Sequence, residues 1–170
     1  MKALRFLALR FLTLGVALAF ASAAAYPATP DIYPVPSQAR SDLAAALRTA
    51  AAGHKRVLLD FGGNWCPDCH VLDRYFHDSR NLPILNANFV LVHVNVGRMD
   101  ANVDLARRYG IPLSKGVPAL AVLSSSGKLL YSQTAGQFED MRNMESSALT
   151  AFLIKWKPVK PGCSVVDASC

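Results

Sequence analysis

Apolar and polar residues change period several times along the chain, and each change marks an element. Ser41 to Ala52 carries Ala and Leu at helical spacing and stops at Gly53, which predicts an amphipathic helix closed by a glycine. Arg56 to Phe61 is a short run of β-type apolar residues ended by Gly62-Gly63, the pattern of a buried strand, and its one acidic residue is Asp60. From Cys66 to about Ser79 the apolar positions Cys69, Leu72 and Phe76 recur at helical spacing, and Pro67 stands where a first helical turn tolerates proline. Phe89 to Val96 predicts a second buried strand, and Asn102 to Tyr109 a short helix closed by Gly110. Ala119 to Leu123 and Lys128 to Gln133, joined by Ser124-Ser125-Ser126-Gly127, predict a hairpin. A last helix is expected from about Glu145 to Trp156, with Pro158 and Pro161 blocking its continuation. The order αβαβαββα joins a parallel half to an antiparallel hairpin, so an α/β domain with a central mixed β-sheet flanked by α-helices is expected.

The start of the chain follows another pattern. Lys2, Arg5 and Arg10 precede the apolar run Phe11 to Phe20 and the small residues Ala21-Ser22-Ala23-Ala24-Ala25, which predicts a secretory signal peptide over 1–25. The mature chain is then periplasmic or secreted. Residues 26–40 are expected as a Pro-rich lead-in, 41–157 as the folded domain and 158–170 as a tail. With 170 residues, 52% hydrophobic and 18% charged, the chain has material for one domain with a core, which excludes a disordered or repeat-built protein. The formal charge of +6 falls to +3 once the three basic leader residues are gone, too mild for a nucleic-acid partner. All four cysteines lie in the exported part, where disulfides persist.

The candidate chemistry sits in Trp65-Cys66-Pro67-Asp68-Cys69, directly after a strand and opening a helix. There the unpaired N–H groups and the dipole of the helix stabilise a thiolate on Cys66, while Cys69, one turn further in, can reach back to resolve it. Cys66 is thus expected as the exposed nucleophile. Asp68, in the first turn, is expected to oppose its negative charge. Cys66 to His70 is also C-x-x-C-H, a haem-attachment pattern that would make His70 one axial ligand and Met99, Met141 or Met144 the other. A strand before the motif and strands after it argue against such a helical haem protein. A zinc site from Cys66, Cys69, His70 and His77 is excluded by an axial rise of about 10.5 Å between the histidines on one helix. Both histidines are expected on a solvated face with Asp73 and Arg74, and no metal or cofactor is expected. Asp60 reads either as a strand-end acid facing water or as a buried carboxyl. Cys163 and Cys170, which enclose six residues, read as a local structural disulfide or as a second redox pair exchanging with Cys66.

Together with Asp60-Phe61 ahead of the first cysteine, Tyr109-Gly110-Ile111 and Gly116-Val117-Pro118, this motif makes Val57 to Trp156 resemble the thioredoxin superfamily in its exported, periplasmic branch. The stretch from Asp60 to Leu123 is most similar to periplasmic thioredoxin-like reductases, including the C-terminal domain of the membrane thiol-disulfide interchange protein. The resemblance implies a thioredoxin-like fold, and a buried Asp60 near Cys69 that takes or gives the proton of the resolving thiol. It also implies a cis peptide at Pro118, and a partner-binding rim of Trp65, Pro67, Asp68, Val117 and Pro118, although Trp65 could equally serve packing alone. Some positions depart from the family. Pro67-Asp68 replaces Gly-Pro, Gly62-Gly63 replaces bulkier residues, His93 stands at a lysine position, and the loop before Pro118 is longer. The implied activity is thiol-disulfide exchange with protein thiols and disulfides, with a membrane or periplasmic redox partner; a monomer acting in the reducing direction is expected, while the motif itself leaves the oxidising direction open. The opposing reading is a redox-idle binding or chaperone module, against which the intact C-x-x-C argues.

Overall fold

The apolar run after Lys55 becomes an inner strand. In the computed structural model, which describes residues 31–159, β1 (Arg56–Gly62) lies between β2 (Phe89–Asn95), which runs parallel to it, and β3 (Ala119–Leu123), which runs antiparallel. β4 (Leu129–Ser132) pairs with β3 and completes a mixed sheet in the order β2-β1-β3-β4. Successive side chains of β1 enter opposite cores. Val57, Leu59 and Phe61 pack with α1 (Ala39–Ala52) and α4 (Val103–Arg108). Leu58 faces α2 (Pro67–Phe76), α3 (Asn81–Asn88) and α5 (Ser146–Trp156) on the other side. Covering both faces is what makes β1 read as a continuous apolar run, and each fully buried Leu or Phe in it contributes about 1.5–3 kcal/mol.

The expected mixed sheet flanked by helices is therefore present, with one element more than the hydrophobic pattern predicts. The helix expected from Cys66 to about Ser79 ends at Phe76, and α3 follows it. Asp78 makes this break. Its Oδ1 accepts the N–H groups of Arg80 (3.0 Å) and Asn81 (2.7 Å), restarting the chain as a new helix. Asn81 is itself buried: its Nδ2 donates to the Tyr75 carbonyl (2.9 Å) and Ser146 Oγ (3.0 Å), and Thr150 Oγ1 donates to its Oδ1 (2.6 Å). These bonds tie α2, α3 and α5 together.

The described part of the lead-in is packed onto the domain. Tyr33 is 2% exposed and belongs to the core, and a 3-10 turn at Pro36–Gln38 leads into α1. Asn64 holds this segment by its backbone, with Oδ1 accepting the N–H groups of Ile32 (2.9 Å) and Tyr33 (2.8 Å) and Nδ2 donating to the Tyr33 carbonyl (3.0 Å). Asn95 and Asn102 add side-chain donors to the Pro34 and Pro36 carbonyls, at 2.8 and 2.9 Å. Such a segment, with prolines at 34 and 36, has no ladder to join, so side-chain amides satisfy its polar backbone instead. Residues 1–30 and 160–170, and with them the leader and the Cys163 and Cys170 pair, lie outside the described residues.

Asn64→Ala removes three hydrogen bonds at once while leaving the cores intact. We expect it to lower the unfolding free energy by about 2 kcal/mol, read from a urea transition of the oxidised protein. An unchanged midpoint would show that the N-terminal segment adds no net stability.

Candidate active site

Gly62 ends β1, and Gly63-Asn64-Trp65 turn the chain into α2. The turn is closed by the Cys66 N–H, which donates to the Gly63 carbonyl at 2.9 Å. Cys66 is the N-cap of α2 and Pro67 opens its first turn, as the missing proline N–H allows. Cys66 and Cys69 form a disulfide with their α-carbons 5.3 Å apart, within the range a disulfide requires. The Cys69 N–H donates to Cys66 Sγ at 3.2 Å, so the outer sulfur already occupies the place where a helix start stabilises negative charge.

Cys66 is less open than the sequence suggests, at 3% exposure against none for Cys69. Its cover comes from the loop before β3, where the Val117–Pro118 peptide is cis and the Val117 carbonyl oxygen lies 3.4 Å from Cys66 Sγ. In the reduced protein the Cys66 thiol can donate to that oxygen. Gly116 precedes this peptide at φ 103°, a left-handed conformation that favours glycine. Buried Gln133, just after β4, braces the loop: its Nε2 donates to the Pro118 carbonyl (3.2 Å) and its Oε1 accepts the Leu120 N–H (3.1 Å). Pro67 and Trp65 form the exposed rim. Trp65 donates through Nε1 to the Gly97 carbonyl, and the Arg98 guanidinium stands 5.3 Å from its ring centre. Asp68 is buried instead of standing open beside the thiolate. Its carboxylate accepts the Arg142 N–H at 3.0 Å and Arg142 Nε at 3.1 and 3.2 Å, an ion pair that offsets the charge expected to oppose Cys66.

Below the disulfide, Asp60 has no exposure. Its Oδ2 accepts the Tyr33 hydroxyl at 2.7 Å and His93 Nδ1–H at 2.9 Å, while Oδ1 has no hydrogen-bond partner among the described residues. His93 faces Asp60 directly across the parallel β1–β2 register, and the Tyr33 and His93 rings meet edge to face at 5.2 Å. Burial works to lower the His93 pKa, but the hydrogen bond and charge of Asp60, with a smaller contribution from Asp73, outweigh it and hold the imidazolium above its ordinary range. Gly62 makes room for this group. A side-chain carbon there would overlap the Tyr33 hydroxyl and approach Cys69 Sγ to 2.8 Å, which no other residue's Cβ could tolerate.

The structure thus brings Cys66, Cys69, Asp60, Trp65, Pro67, Val117 and Pro118 to one end of the sheet. His70 and His77 do not meet: His70 Nε2 donates to the Asn64 carbonyl (2.8 Å), and His77 Nδ1 to the Asp73 carbonyl (2.8 Å) on an exposed turn. Among the described residues no group of three or more His, Cys, Asp or Glu could hold a metal ion. Sequence reasoning missed Tyr33, Asn64, Gln133 and Arg142. The bare Gly62 where the resemblance implies bulk was the available sign of Tyr33, and a lone Gln at the end of a hairpin strand the sign of Gln133.

Comparison with known families finds one match, a family described as thioredoxin-like, over residues 38–125. Among solved structures, a protein from Xylella fastidiosa Temecula1 named a disulphide isomerase is 33% identical, with 73% of this chain and 95% of that one covered and a TM-score of 0.69. The C-terminal domain of DsbD from Neisseria meningitidis, in its reduced form, shares the fold at 21% identity, covering 68% of this chain and 95% of that one with a TM-score of 0.50. A search of curated proteins returns no match.

The His93–Asp60 pair makes stability depend on pH. Because the folded His93 pKa is raised, its contribution is fully present below the unfolded value of about 6.5 and is lost as pH rises through the folded value. Urea unfolding followed across this window should show stability falling as pH rises, and His93→Gln should flatten that slope. A slope that persists in His93→Gln would assign it to another group.

Proposed function

Because the chain belongs to the thioredoxin-like family, we propose that it is an exported thiol-disulfide oxidoreductase that reduces disulfides of protein partners. The observation that carries this reading is the Cys66–Cys69 pair at the start of α2, with one sulfur on the helix cap and the other sealed beneath it. Export is supported by the leader pattern of residues 1–25. The name of the Xylella fastidiosa relative supports the same exchange chemistry.

In the reducing direction the Cys66 thiolate attacks one sulfur of a partner disulfide. That bond breaks, the leaving partner sulfur keeps its electron pair and takes a proton, and a mixed disulfide joins Cys66 to the partner. Cys69 then loses its proton and attacks Cys66 Sγ, releasing the second partner thiol and leaving Cys66–Cys69 oxidised. Two electrons have passed to the partner, and a membrane or periplasmic redox partner restores the dithiol. Trp65 and Pro67 present an exposed rim, and Val117 and Pro118 flank the sulfur that meets the partner, so these residues bind the partner segment. Asp60 serves the proton of Cys69.

Reduced protein should be alkylated preferentially at Cys66, and Cys69→Ser should accumulate a mixed disulfide with a partner or a model disulfide. A reductase also requires a Cys66–Cys69 potential nearer to about −270 mV than to the roughly −120 mV of a strong oxidant, measured against a glutathione buffer. Preferential labelling of Cys69 would reverse the two roles, and a potential near the oxidant value would reverse the direction.

A further inference from the structure

Cys69 is sealed from water, yet the resolving step requires its thiol to lose a proton. Asp60 lies on the same face of β1 as Gly62, two residues earlier, but the room above Gly62 is shared by two groups, Cys69 Sγ and the Tyr33 hydroxyl. The hydroxyl that converges there with the sulfur is hydrogen-bonded to Asp60 Oδ2 at 2.7 Å. Two departures from the family pattern, the bare Gly62 and the His93 imidazole, therefore meet around one side chain that arrives from ahead of the first helix.

We infer that the Tyr33 hydroxyl carries the proton of Cys69 to Asp60, so that the resolving thiol is served by tyrosine and carboxylate in series. The inference rests on the redox reading of Cys66 and Cys69 given above. As Cys69 Sγ attacks Cys66 Sγ, the bond from Cys66 to the partner breaks and the partner sulfur leaves with its electron pair. The Cys69 proton passes to Tyr33 Oη while the Tyr33 proton passes to Asp60 Oδ2. Tyrosine is neutral before and after, the carboxyl is protonated, and the reverse transfer accompanies re-reduction. Burial first, then the charge and hydrogen bond of Asp60, push the Tyr33 pKa well above its ordinary value and disfavour a tyrosinate, so the two transfers are concerted.

His93 touches the end of this relay, since its Nδ1 donates to the same Asp60 oxygen that accepts the Tyr33 hydroxyl. The imidazole also lines an open crevice along β2 with Pro34, Asp42, Ala46 and Thr49, which gives the pair its contact with solvent. The titratable groups facing this cluster from the packed helices are Asp73 of α2, whose charge acts on Tyr33 and His93, and Asp42 of α1 in the crevice.

The test separates the two chemical steps. Ellman's reagent, an aromatic disulfide, reacts with the reduced exported chain carrying Cys163→Ser and Cys170→Ser. It releases one coloured thiolate when Cys66 attacks and a second when Cys69 resolves the mixed disulfide. Tyr33→Phe keeps the ring and removes only the hydroxyl. We expect its first phase to stay within about twofold of the parent and its second phase to slow by about a hundredfold or more, the lower end of the range for a lost proton-transfer group. Its second phase should also rise steadily with pH as hydroxide takes the proton, in place of a break set by His93. His93→Gln, which keeps the hydroxyl, should shift that break. A second phase with unchanged rate and pH profile in Tyr33→Phe, or an unmoved break in His93→Gln, overturns the relay alone. A parent protein that shows no second phase overturns the redox reading and the relay with it.

Discussion

A carboxylate with no exposure on an inner strand governs much of what surrounds it. An unpaired buried charge costs several kcal/mol, so β1 carries Asp60 only while Tyr33 and His93 both donate to it. One of these donors fixes register. A slip of β2 by a single residue against β1 would turn His93 to the opposite face and strand the carboxylate. The other donor ties the segment ahead of α1 to the sheet, which explains why Asn64 spends both ends of its amide on that segment's backbone.

The same cluster shapes the two sulfurs into unequal partners. Gly62 allows α2 to descend until Cys69 is sealed over the strand, while Cys66 stays on the helix cap and accepts an amide N–H. A helix start favours negative charge on a sulfur at its cap, whereas burial favours a neutral one. Burial and helix position, rather than any difference in residue type, make the surroundings of the two sulfurs unequal.

Loops that frame the sulfurs are held by side chains reaching across the fold. Gln133 braces the carbonyl of Pro118, and Arg142 closes on Asp68, so the loop before β3 and the turn before α5 are both anchored beside the motif. Each of these bonds satisfies a buried polar group that no strand or helix could reach. The edge around the sulfurs is therefore braced at Pro118 and exposed at Trp65 and Pro67.

The sequence by itself determined the four strands, the helices α1, α2, α4 and α5 and the placement of Trp65-Cys66-Pro67-Asp68-Cys69 at a strand-to-helix junction. Those features are written in local period and in the conformational limits of Pro and Gly, which act within one or two turns of chain. Tertiary structure alone decided the rest. Helix α3 contains Pro83 and three Asn residues and shows no clear apolar stripe; it is held through Asn81 by Ser146 and Thr150, 65 and 69 positions away. Whether Asp60 faced water or the core was open in the pattern of β1, and became settled by Tyr33 and His93, 27 and 33 positions distant. Asp68 read as a free charge because Arg142, which neutralises it, lies 74 positions further on. Charge pairing and burial depend on which distant groups the fold brings together, and a one-dimensional pattern carries no record of that convergence.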